Sequence, residues 1–82
     1  MRQRTVLQEG CKRGFKRGSQ LIPIGSYQGF LEELGKANGW SKFQVHHYMS
    51  GRTICQPLQV KNVEDVFARF NISPSSIWDE VS

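Results

Sequence analysis

Residues 31 to 52 read Leu31-Glu32-Glu33-Leu34-Gly35-Lys36-Ala37-Asn38-Gly39-Trp40-Ser41-Lys42-Phe43-Gln44-Val45-His46-His47-Tyr48-Met49-Ser50-Gly51-Arg52. Two short helices joined by a glycine are written into this stretch. Tyr27, Phe30, Leu31, Leu34 and Ala37 recur at helical spacing, with Glu32, Glu33 and Lys36 on the other side. Gly39 supplies a left-handed stop. Ser41 is placed to accept a hydrogen bond from the first turn of a second helix, about 42–50, which Gly51 closes. The inward stripe of that helix is Val45, Tyr48 and Met49, at i, i+3 and i+4.

Working outward, Ser26 is the expected cap of the first of these helices, over 27–38. Downstream, Pro57 suits the first position of a further helix, where its missing N–H has no partner to lose. Val60, Val63, Phe67 and Phe70 then give an amphipathic helix over about 57–70, with Leu58 and Val66 flanking. Asn71 suits an αL turn, and Ser73-Pro74 restarts a short turn that returns Ile77 and Trp78 to the core. Trp40, Phe67, Phe70 and Trp78 are the expected aromatic core. No stretch alternates as a strand. The expected fold is all-α: a small domain of three to five short helices over residues 26–82.

Residues 1–25 read differently. Gly10, Gly14 and Gly18 weaken any helix through them, and Pro23 interrupts Leu21, Ile22 and Ile24, which are expected to pack in extended form. One or two helical turns fit within residues 5–11. The net charge is +4 over 82 residues, and its distribution is uneven. Arg2, Arg4, Lys12, Arg13, Lys16 and Arg17 stand against Glu9 alone in the first 17 residues, a net of +5, so the remainder is −1. The expectation is a basic, poorly ordered arm that meets a polyanion. Its removal, as residues 1–17, should leave the domain folded.

Several function classes are disfavoured. No long apolar run exists for a membrane span or a signal peptide, so the expected location is the cytoplasm, with no membrane partner. The two cysteines, Cys11 and Cys55, follow no framework spacing and read as reduced thiols. Adjacent His46 and His47 point about 100° apart on a helix, and no Cys-x-x-Cys pair exists, so no metal or other cofactor is expected. The acid pairs Glu32-Glu33, Glu64-Asp65 and Asp79-Glu80 read as helix surface, and no glycine-rich phosphate loop follows a strand. Neither catalysis nor a small-molecule substrate is expected.

Leu34-Gly35, Gly39-Trp40, Val45 and Tyr48 resemble the phage-repressor and Cro-type (lambda-repressor-like) helix-turn-helix. That pattern asks for a small residue where the helices cross, a glycine in the turn, an apolar residue after it, and two apolar residues three apart in the second helix. The segment after the motif, Ser50-Gly51-Arg52, Pro57 and Val63 to Ile72, is also similar. The Phe67-Ala68-x-x-x-Ile72 and Ile77-Trp78 tail resembles small prophage or mobile-element regulators of gut bacteria. Two departures stand out. Asn38 occupies a position the family keeps apolar, and the helix that normally precedes the motif is missing from 19–25. That helix is either short and within residues 5–15, or the motif starts one element earlier, with Leu31 to Asn38 leading and Phe43 in the core.

The resemblance implies a sequence-specific double-stranded DNA-binding protein that regulates transcription. In the first register, Ser41, Lys42, Phe43, His46 and His47 of the recognition helix face base edges in the major groove. Lys36, Gln44, Ser50 and Arg52, with Lys12, Arg13, Lys16 and Arg17 of the arm, are the expected phosphate contacts. A homodimer on two half-sites is a further partner arrangement, which an exposed Trp78 would favour. Two other readings stay open: a protein-interaction module on the same scaffold, and RNA binding through the basic arm.

Overall fold

In a computed structural model, which describes residues 10–81, the chain is mostly helical. Strand β1 (Lys12–Arg13) leads into the one-turn helix α1 (Lys16–Ser19), then α2 (Ile24–Asn38), α3 (Lys42–Ser50), strand β2 (Ile54–Cys55), α4 (Pro57–Ala68), a 3-10 turn (Pro74–Ser76) and strand β3 (Glu80–Val81). Arg2, Arg4 and most of the turns expected within residues 5–11 lie outside the described residues.

Local chemistry sets most boundaries where the sequence suggests. Ser41 and Gln44 form a reciprocal capping box at the start of α3, and Gly39 and Gly51 end α2 and α3 in left-handed conformations. Pro57 opens α4 behind a Gln56/Gln59 capping box. Asn71, with φ of 63°, makes the turn after it. Helix α2 begins three residues earlier than expected. Pro23 serves as its N-cap, and Ser26 lies in the first turn, donating its N–H to the Pro23 carbonyl. A proline at this position gives up no helical hydrogen bond. α4 ends two residues early, because the N–H groups of Arg69 and Phe70 tighten onto the carbonyls of Val66 and Phe67.

The core is one cluster. Phe30 and Leu34 of α2, Val45 and Met49 of α3, Val60, Val63, Val66 and Phe67 of α4, and Ile77 and Trp78 all bury their side chains in it. Phe30 and Phe67 lie 4.9 Å apart between ring centroids. Trp78 is 5% exposed and donates its indole N–H to Glu64, so the exposed tryptophan that would favour a dimer is not found. Of Leu21, Ile22 and Ile24, only Ile22 packs inward. Ile24 is 95% exposed because it starts α2 on the outer side.

The basic segment departs most from expectation. Two corrections follow: the fold is not strictly all-α, and residues 11–22 of the expected arm are part of the domain. β1 is the central strand of a three-stranded antiparallel sheet, pairing Lys12 with Cys55 and Val81, and Arg13 with Ile54 and Glu80. Phe15 is fully buried, edge-on to both Phe67 and Trp78. The carboxylate of Asp79 accepts the N–H groups of Lys16 and Arg17 at 3.1 Å and so caps α1 from the far end of the chain. Gly18 donates to the Ile77 carbonyl, and a β-carbon on it would lie 2.8 Å from the Ile77 Cα and 3.1 Å from the Phe67 ring. One phenyl ring and a run of hydrogen-bonded backbone positions outweigh the surrounding charge, because Lys16 and Arg17 keep their side chains in water while their backbone is held.

Three outcomes follow. Alanine in a helix ordinarily stabilises by up to about 1 kcal/mol over glycine. Gly18→Ala should instead destabilise by about 1–3 kcal/mol through overpacking. A thermal melt followed by circular dichroism should show a lower midpoint, and an unchanged or raised one would refute the close packing of α1. Likewise, removing residues 1–17 should abolish the cooperative melt rather than spare it. The third outcome concerns alkaline pH. Burial, with Cys11 nearby, pushes the Cys55 thiol up to about 12 from an ordinary 9.0. The unfolded thiol ionises first, so this group's contribution is intact below about pH 9 and drains away as pH rises toward 12. Melting midpoints should therefore fall more steeply above pH 9 in the wild type than in Cys55→Ala; parallel slopes would contradict it.

Candidate nucleic-acid interface

Helix α3 is held from one side. Val45 and Met49 are buried, and Tyr48 is half-buried with its ring stacked on Trp40 at 4.0 Å and 10°. The Tyr48 hydroxyl accepts from Gln59 of α4. A β-carbon on Gly35 would stand 3.0 Å from the Trp40 carbonyl oxygen, so α2 and the turn into α3 approach as closely as they do because residue 35 has none. The departure at Asn38 has a structural answer. Its side-chain amide bonds the Leu34 carbonyl, and its oxygen accepts from Asn62 of α4, which also donates to the Ala37 carbonyl. A hydrogen-bonded polar pair thus replaces the apolar contact expected there.

The outer face of α3 carries Lys42, Phe43, His46 and His47, all exposed, with exposed Ser41 at the N-terminus. Phe43 is 79% exposed, which agrees with the first register and not with the one that puts it in the core. Residues 10–15 hold no helix, the rest of the stretch weighed for a leading helix lies outside the described residues, and the short helix before the motif is α1, at Lys16–Ser19.

Two hollows flank the α3 ridge. On the α2 side a groove of about 550 Å³ is lined by Gln28, Leu31, Glu32, Lys36, Trp40 and Lys42, among others. On the opposite side a shallower hollow of about 430 Å³ brings Lys16 of α1 together with Phe43, His47, Ser50 and Arg52. His46 lines both and so marks the crest. Six of the thirteen residues singled out from the sequence therefore line the shallower hollow beside α3, and Lys36 and Lys42 join them through the groove.

The remaining ones are committed differently. Lys12 sets its ammonium 3.0 Å from the Glu64 carboxylate and over the Trp78 ring, so its charge has a partner within the fold. Arg13 is half-buried in β1 and its stem packs beside Gly51. Arg17 is exposed on α1. The oxygens of Ser41 and Gln44 close the capping box, with the Gln44 side chain accepting the Ser41 N–H at 2.8 Å. Ser50 donates its hydroxyl to the His47 carbonyl. Sequence reasoning missed Gln28 and Glu32 in the groove. They sit four residues apart on α2, but nothing in the sequence tells which turn of a long helix will border the neighbouring one.

Among the described residues, no three His, Cys, Asp or Glu side chains gather as a metal site, and no helix is long and apolar enough to cross a membrane. No protein-family model, curated protein or solved structure matches the chain.

Proposed function

We propose that the protein binds double-stranded DNA sequence-specifically, with α3 in the major groove, as a transcriptional regulator in a bacterial cytoplasm. The observation that carries the reading is the arrangement of cations on both flanks of one protruding helix. Lys36 and Lys42 stand on the α2 side, and Lys16 and Arg52 on the other. A helix seated in the major groove has a phosphate backbone on either side and base edges beneath. Nine residues give α3 a length of about 13 Å, enough to lie in a groove about 12 Å wide. The deep, narrow major groove of A-form RNA does not admit such a ridge, which favours DNA over duplex RNA. The mobile-element setting rests on the resemblance of the motif and tail alone.

Five exposed cations, Lys16, Arg17, Lys36, Lys42 and Arg52, are available for phosphate. Binding to duplex DNA should weaken with salt at a log–log slope of about −4 to −5. Lys16→Ala and Arg52→Ala should each reduce that slope by about 1, while Lys12→Ala should leave it unchanged, since Lys12 is paired with Glu64. Fluorescence anisotropy across a salt series measures all three. The absence of duplex binding at low salt would sink the proposal, and a reduced slope in Lys12→Ala would overturn the division of cations made here.

Base reading has its own test. After selection of a preferred site, Lys42→Ala should cost about 1–3 kcal/mol on that site if the lysine bonds a guanine edge, and much less on a scrambled duplex. Equal losses on both would make Lys42 a phosphate contact only.

A further inference from the structure

Phe43 has no explanation within the fold. It is 79% exposed in the middle of the α3 face, with Lys16, His46, His47, Ser50 and Arg52 around the same hollow. A phenyl ring held in water among cations and hydrogen-bonding groups contributes nothing to this core, whose buried aromatic members are Phe15, Phe30, Trp40, Phe67 and Trp78. The surrounding charge favours a polyanion over an apolar protein partner. In the major groove of DNA, the apolar group a side chain can meet is the 5-methyl of thymine, while the other edges offer donors and acceptors. Lys42, His46 and His47 are the polar counterparts on either side along the helix.

We infer that Phe43 is a specificity-determining residue that packs on a thymine methyl group, so that the preferred site contains one thymine whose methyl, rather than its hydrogen-bonding edge, is read. This rests on the DNA-binding reading above. It also sets the preference for DNA at the level of a single base, because uracil in RNA lacks that methyl. Lys16 and Arg52, in the same hollow, place a backbone phosphate beside that thymine.

Thymine-to-uracil replacement removes the methyl and leaves every hydrogen-bonding group in place. The selected duplex, and copies in which each thymine in turn is replaced by uracil, are titrated with the full chain and with Phe43→Ala. Phe43 is outside the core, so the variant should keep the wild-type melt. One replacement should weaken wild-type binding about fourfold, as expected for one buried methyl group, and the same replacement should have no effect on Phe43→Ala. The inference is overturned if the selected site lacks an invariant thymine, or if wild type and variant respond alike to every replacement. Tight, sequence-selective binding in those cases upholds the DNA reading and removes only the role of Phe43. No binding to any duplex overturns both.

Discussion

The gap between Gly35 and the Trp40 carbonyl, where a β-carbon would come within 3.0 Å, fixes how α2 hands the chain to α3. The Trp40 N–H donates back to the Gly35 carbonyl at 2.9 Å, so the same two residues both close the turn and set the approach. With that turn fixed, the Trp40 ring lies flat on Tyr48, and Val45 and Met49 reach the core. A nine-residue helix cannot hold a conformation by itself. It stands here because one side is anchored by packing and its start is closed by Ser41 and Gln44. The outer side chains are consequently presented in a fixed order, with His46 on the crest and cations down both slopes.

The segment from residue 11 to residue 22 changes how the charge of the chain is understood. Counted along the sequence, the first 17 residues hold most of the excess positive charge. In the fold, Lys12 is balanced by Glu64, and the backbone of Lys16 and Arg17 is held by Asp79. Among the described residues of that stretch, Lys16 and Arg17 keep exposed side chains, and Lys16 lies beside α3 because Phe15 donates its N–H to the Met49 carbonyl at the end of that helix. A structural anchor thus places a cation at the edge of the candidate interface. The same anchoring ties the segment into the domain.

Much of the architecture was legible in the sequence because local rules act over a few residues. Gly39 and Gly51 as stops, Ser41 as a cap, Pro57 as a first helical residue and Asn71 as a left-handed turn each follow from the residue's own stereochemistry. The 3-4-3 spacing of valines and phenylalanines likewise gave α4 its inner face. Apart from the shifted ends of α2 and α4, the misses are non-local. Strands of two residues leave no alternation to read, so Lys12–Arg13 between residues 54–55 and 80–81 carried no strand signal. Phe15 sits among lysine, arginine and glycine without periodic neighbours, and its burial depends on Ile77, Trp78 and Asp79 arriving from the other end. The outer face of α3 was legible from the stripe opposite it, but its pairing with Lys16 across a hollow was not, since α1 itself went unread.

The central claim is that α3 and the cations flanking it form the surface that meets DNA. Amide spectra of the uniformly 15N-labelled full chain, recorded while a duplex is titrated in at low salt, test it most directly. The account predicts shifts concentrated at residues 41–50 and at Lys16, Lys36 and Arg52, with Lys61 and Asp65 on the exposed face of α4 and Ser75 in the 3-10 turn unmoved. Shifts concentrated on α4 or the 3-10 turn, with α3 unmoved, would contradict it.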